Sequence, residues 1–89
     1  MKIKLELFGA SRDFSNKDHI DFQIKEETEI KDFKKEIIYY LEKNFKGNVD
    51  FKKIVATSAF CSEDNNIISD NYVISKDQKI GIIPPIGGG

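Results

Sequence analysis

Between residues 28 and 47 the apolar residues recur at helical spacing, while the chain on either side is patterned for strands. Ile30, Phe33, Ile37, Ile38, Tyr40, Leu41 and Phe45 fall within an arc of about 160° at 100° per residue. Tyr39 falls opposite that arc and is expected in solvent. Thr28 is a suitable N-cap, Glu29 and Asp32 are acids in the first turn, and Gly47 suits the C′ position. The spacing predicts a helix of roughly four to five turns with one apolar face. Such a face must be buried, and the strands around it are the available cover.

Lys2 to Phe8 alternates strictly. Ile3, Leu5 and Leu7 point one way; Lys2, Lys4, Glu6 and Phe8 point the other. Phe8 is the one aromatic on an otherwise charged face. A polar turn region, Gly9 to Asp18, comes next. His19 to Lys25 alternates again with Ile20, Phe22 and Ile24 inward, so the two segments read as a hairpin. Beyond the helix, Lys53 to Phe60 is β-prone but does not alternate cleanly. Cys61 to Asn66 reads as a polar loop. Ile67-Ile68 and Tyr72-Val73-Ile74 are candidates for short strands, and Ser75 to Gln78 for a turn. Lys79 to Ile83 is the closing strand, with Ile80 and Ile82 on one face and Ile83 on the other. This predicts an α+β fold with one main helix on one face of a mixed sheet. The element order is that of the β-grasp, or ubiquitin-like, fold, in which the first and last strands lie side by side and parallel. Residues 1–86 are expected to form one domain and 87–89 a flexible tail.

The 89 residues suffice for a single core without staples. A net charge of −1 with mixed signs gives no footprint for nucleic acid. No apolar run approaches the ~20 residues of a membrane span, and the start lacks the apolar block of a signal peptide. The single cysteine, Cys61, rules out an internal disulfide and suits a reducing compartment. A soluble cytoplasmic protein with no nucleic-acid or membrane partner is expected.

The closing segment is the chemically suggestive one. Pro84-Pro85 stops the last strand, because neither residue donates a ladder hydrogen bond, and their fixed φ stiffens the base of the tail. After Ile86, Gly87, Gly88 and Gly89 form a thread without side chains that bears a carboxylate. A narrow channel that must admit a peptide carboxylate would want this shape. Phe8 and Ile83 both place apolar side chains on the outer sheet face. With Ile86 nearby they would make an apolar patch beside the tail, and a patch calls for a partner where a single exposed residue does not.

Two segments resemble the small subunit of molybdopterin synthase. Leu7-Phe8-Gly9-Ala10-Ser11-Arg12-Asp13 resembles the end of that family's first strand and the loop after it. Lys79 to Gly89 resembles its closing strand, Pro-Pro pair and terminal glycines, and Thr28 to Phe33 its helix start. The small-apolar-Asn motif that the family often has at the end of its third strand is not matched by Ala56-Thr57-Ser58-Ala59. The resemblance implies a sulfur carrier without a self-contained active site, binding no cofactor or metal of its own. A ubiquitin-activating-type adenylyltransferase would use ATP to convert the Gly89 carboxylate to an acyl-adenylate. A sulfur source would displace AMP to leave a thiocarboxylate. The large subunit of the synthase would then spend that sulfur on the molybdopterin dithiolene. Phe8, Ile83, Pro84, Pro85, Ile86 and Arg12 would meet these partners. Related carriers for thiamine thiazole or tRNA thiolation share much of this pattern, and Pro-Pro before the glycines favours molybdopterin. A protein modifier joined through Gly89 to a lysine, or an interaction module with an inert tail, would also have this layout.

Other candidates are plainer. Cys61 has no basic neighbour in sequence and reads as an inert thiol. His19 stands alone without metal-ligand spacing. Arg12 could pair locally with Asp13 or Asp18, or meet a partner's acid.

Overall fold

The computed structural model describes residues 1–46 and 48–85. Strand β1 (Lys2–Leu7) leads through a 3-10 helix (Gly9–Phe14) to β2 (His19–Gln23). A two-residue strand β3 (Thr28–Glu29) precedes helix α1 (Ile30–Phe45) and helix α2 (Val49–Thr57). Strands β4 (Ala59–Cys61), β5 (Ile67–Ile68), β6 (Val73–Ile74) and β7 (Gln78–Ile83) complete it. The main sheet has the order β2-β1-β7-β4-β5; β3 and β6 form a separate pair. β1 and β7 are parallel at the centre, as expected, with Leu5 beside Ile80 and Leu7 beside Ile82. A parallel pair needs a long crossover, and the helices supply it.

Alternation sorts the faces. Ile3, Leu5, Leu7, Ile20, Phe60, Ile80 and Ile82 point inward and are buried. Against them α1 sets Ile30, Phe33, Ile37 and Leu41, all essentially inaccessible, with Ile38, Tyr40 and Phe45 at the margin. Phe22 is half-buried and meets Phe33 edge-on at 5.3 Å between ring centroids. Tyr39 lies outside, 51% exposed, with Lys43 Nζ 4.7 Å from its ring centre. Tyr39→Ala should therefore move stability by no more than about 0.5 kcal/mol in urea unfolding, since exposed contacts of this kind contribute little. A loss of the size seen for core aromatics would mean that α1 presents a different face.

Several expectations need correction. Thr28 is not the N-cap: it belongs to β3, and its hydroxyl donates to the Glu26 carbonyl at 2.9 Å. The cap position is held by Glu29, which makes no side-chain cap. The first helical N–H groups are satisfied from afar: Ile30 donates to the Tyr72 carbonyl and Lys31 to that of Asp70, each at 2.9 Å. A turn distant in sequence, just before the strand that pairs with β3, thus replaces the local cap. Lys46 takes the left-handed conformation after α1, at φ 52°. Gly47, expected at that turn, lies outside the described residues.

The segment Lys53 to Thr57 is helical rather than extended. Asn48 caps α2 through its side-chain carbonyl, which accepts from Asp50 N at 3.0 Å and Phe51 N at 3.2 Å. The β-branched residues here lower helix propensity only by tenths of a kcal/mol each, which a cap and packing readily outweigh. Phe51 and Ile54 pack on the core and Val55 enters it. The presumed polar turn after β1 also carries a core residue. Phe14 is fully buried and meets Phe51 at 5.0 Å, and Phe51 in turn meets Phe45 at 4.9 Å. Cys61 sits in β4 and is buried, not in the loop after it.

Candidate functional site

The outer face of the sheet has a charged end and an apolar end. At the charged end Lys79 Nζ stands 3.5 Å from Glu6 Oε1, and the Lys79 N–H donates to Glu63 Oε1 at 2.8 Å. Glu63 thereby satisfies backbone that β4 is too short to reach. At the other end, where β7 runs into Pro84, the side chains are apolar. The register that sets Leu7 beside Ile82 makes Phe8 and Ile83 next in line. Phe8 is 44% exposed and Ile83 is half-buried, so the two expected apolar residues do come together.

The patch is wider than the sequence suggested. Ile83 pairs with Ala59, and Cys61 pairs with both Gly81 and Ile67. Opposed residues in a sheet share a face. Ala59 and Ile67, both exposed, therefore extend the patch across β4 to β5 with Cys61 buried between them, and Ile67 is 67% exposed. No sequence signal reveals this, because a two-residue Ile-Ile strand fits either register.

Local structure fixes Phe8. Gly9, at φ +55°, turns the chain out of β1 into the 3-10 helix. That φ is open to glycine at little cost. Ser11, fully buried, holds Phe8 through one hydroxyl. Ser11 Oγ accepts from the Phe8 N–H at 3.0 Å and donates to the Phe8 carbonyl at 2.6 Å. The bare face of Gly9 stands against the Pro84 ring. Pro84 is buried there while Pro85 is exposed. The two prolines share a shallow cleft with Ala10 of the 3-10 helix and with Asp50, Lys53, Ile54 and Thr57 of α2. The base of the tail is thus held on both sides. Ile86, Gly87, Gly88 and Gly89 lie outside the described residues.

Arg12 is exposed and forms no ion pair with Asp13 or Asp18. Its charge adds a small share to the lowering of the Asp18 carboxyl. The Asp18 carboxyl is held below its ordinary range, chiefly by hydrogen bonding to His19, whose Nδ1 lies 2.9 Å from Asp18 Oδ1. His19 Nε2 also lies 3.6 Å from Asp21 Oδ2. Asp18 and His19 stand at the β1 side of the sheet, the Asp18 carbonyl accepting from the Leu7 N–H at 2.9 Å and His19 pairing with Glu6. Among the described residues no cluster of His, Cys, Asp or Glu is arranged to hold a metal, and no helix is long and apolar enough to cross a membrane.

A five-stranded mixed sheet with parallel central strands and a helix across its inner face defines a β-grasp, ubiquitin-like fold. Solved structures that share it include two similar to this chain. One is a chain provisionally assigned as molybdopterin converting factor, subunit 1, from Pyrococcus furiosus. It is 18% identical, with a TM-score of 0.68 over 96% of this chain and 98% of that one. The other is SAMP1 from Haloferax volcanii, 11% identical, with a TM-score of 0.69 over the whole of both chains. No protein-family model matches the sequence, and no curated protein matches it.

Proposed function

We propose that this protein is a sulfur carrier, the small subunit of a molybdopterin synthase, working in the cytoplasm. The observation that carries the reading is the apolar patch at the end of β1 and β7, set beside the braced Pro84-Pro85 from which Ile86 to Gly89 continue. The fold shared with the Pyrococcus furiosus converting-factor chain supports it.

The chain's part in the chemistry is to offer one carboxylate. A carboxylate oxygen is a poor leaving group, and adenylation by an ATP-using enzyme of the ubiquitin-activating type replaces it with AMP. A sulfur nucleophile then takes the acyl group and AMP departs, leaving a thiocarboxylate on Gly89. The synthase large subunit would draw on that sulfur to build the dithiolene. Gly87 and Gly88 let the terminus enter both active sites, since neither adds a Cβ that would restrict backbone or channel. Intact mass after co-expression with the adenylyltransferase tests the proposal. Replacement of one oxygen by sulfur is expected; a ladder of protein adducts instead would make the chain a modifier joined through Gly89.

Both enzymes must hold the surface from which the tail emerges, so they should compete for it. Phe8→Asp places a charge at the centre of that surface and should weaken each complex by about 2 kcal/mol or more, as loss of an aromatic anchor does. The fold should persist, because Phe8 points away from the core. Titrating one enzyme against the preformed complex with the other checks the shared dock. A stable ternary complex would contradict it.

A further inference from the structure

β7 carries a glycine in mid-strand, where a side chain would ordinarily pack. Gly81 lies on the outer face, between Glu6 of β1 and Cys61 of β4. Its φ is not in the left-handed region, so its backbone does not require glycine. A glycine inside a strand often marks a close approach by another group. Here two side chains approach. A Cβ on Gly81 would stand 2.6 Å from Cys61 Sγ and 3.1 Å from Phe8 Cε2. Carbon atoms in contact normally keep about 3.5–4.0 Å, so the space above Gly81 is already filled. Gly81 and Cys61 face outward yet are buried, Cys61 to 7% exposure, while Ile67 beside Cys61 is open. The Phe8 ring is the cover. Its main chain cannot slide away, because Ser11 holds both its N–H and its carbonyl.

We infer that Gly81 is a positioning residue for docking: its bare Cα lets the Cys61 thiol and the Phe8 ring share the space over β7, which fixes the ring at the base of the tail. The inference rests on the reading of Phe8 as the docking anchor. An enzyme then meets a ring already in place instead of one that must be ordered on contact. Cys61 acts here as a filler of the seat, standing where a side chain of residue 81 would otherwise be.

The test is a compensation cycle on the full chain, with the purified synthase large subunit as the binding probe. Ring placement is followed by NMR, through contacts between the Phe8 ring protons and the residue 81 Hα. Gly81→Ala overfills the seat and should shift the ring and weaken docking about tenfold, a coupling of the size found between touching residues. Cys61→Ala empties the seat, is a small truncation that keeps the fold, and should loosen the ring and weaken docking by about threefold. The double variant moves one atom's bulk from residue 61 to residue 81. It should restore the ring contacts and bring affinity to within about twofold of the parent. Losses that add in the double variant, or parental affinity in a variant whose ring has moved, would overturn the role of Gly81 alone. Should Gly81→Ala not fold, Cys61→Ala and the double variant still give the rescue or its failure. A parent chain that binds neither the large subunit nor the adenylyltransferase would overturn the carrier reading itself, and the role of Gly81 with it.

Discussion

A chain lacking Gly89, or one extended by a residue beyond it, is expected to acquire no sulfur and yet to unfold at the same temperature as the full chain. The two halves of this result have separate causes. In the proposed carrier the acyl group to be activated is the carboxylate of Gly89. Removing Gly89 draws that carboxylate back by one residue, up to about 3.6 Å along an extended chain. An added residue supplies a different carboxylate, on a thread too long for the channel and carrying a Cβ unless the addition is glycine. Positioning of the reacting atom within about an ångström decides rates by orders of magnitude, so either change should leave no measurable transfer. Stability depends on other parts of the chain. The buried cluster runs from Ile3 to Ile82, and a glycine has no side chain to contribute to it. Mass measurement after incubation with ATP, the adenylyltransferase and a sulfur donor, alongside a thermal scan, reads both halves. A truncated chain that still gains sulfur would refute the carrier function.

The parts of the fold legible in the sequence were those that a residue's near neighbours decide. β1 and β7 could be read because period-two alternation leaves one choice of inward face. Tyr39 could be placed outside α1 because helical spacing over sixteen residues fixes the buried stripe. From those two strands alone, Phe8 and Ile83 could be set side by side. The rest depended on distant parts of the chain. Thr28 looked like a cap because the carbonyls of Asp70 and Tyr72, which satisfy the helix start, are some forty residues away. α2 was hidden by its β-branched residues, although Asn48 was a usable cap signal. Ile67 joined the patch only through its register with Cys61. Gly81 gave no hint of its purpose, since the atoms that fill the space above it come from residues 8 and 61.

Phe14→Ala is the substitution expected to damage the fold most while altering none of the proposed docking residues. Phe14 stands in a stretch of Ser, Arg, Asp and Asn whose composition suggests only a turn. Its side chain is nonetheless fully buried, and it begins an aromatic chain through Phe51 to Phe45 that ties the 3-10 helix to α2 and to the end of α1. Truncating a buried phenylalanine costs about 3–5 kcal/mol, through lost transfer free energy and the cavity left behind. Small domains have only about 5–15 kcal/mol in all, so the variant should lie near the edge of folding. At roughly 4–8 °C per kcal/mol for a chain of this size, the transition should fall by about 12 °C or more. The neighbouring Arg12→Ala, exposed and unpaired with Asp13 or Asp18, should move it by no more than about 0.5 kcal/mol. The effect also reaches the proposed site. The 3-10 helix carries Ser11, which holds Phe8, and Gly9, which faces Pro84. At temperatures where the Phe14→Ala chain is still folded, it should therefore dock more weakly than its global stability accounts for. Urea unfolding beside binding at low temperature separates the two effects. A stability loss under about 1 kcal/mol would show that the 3-10 helix is held by something other than its aromatic anchor.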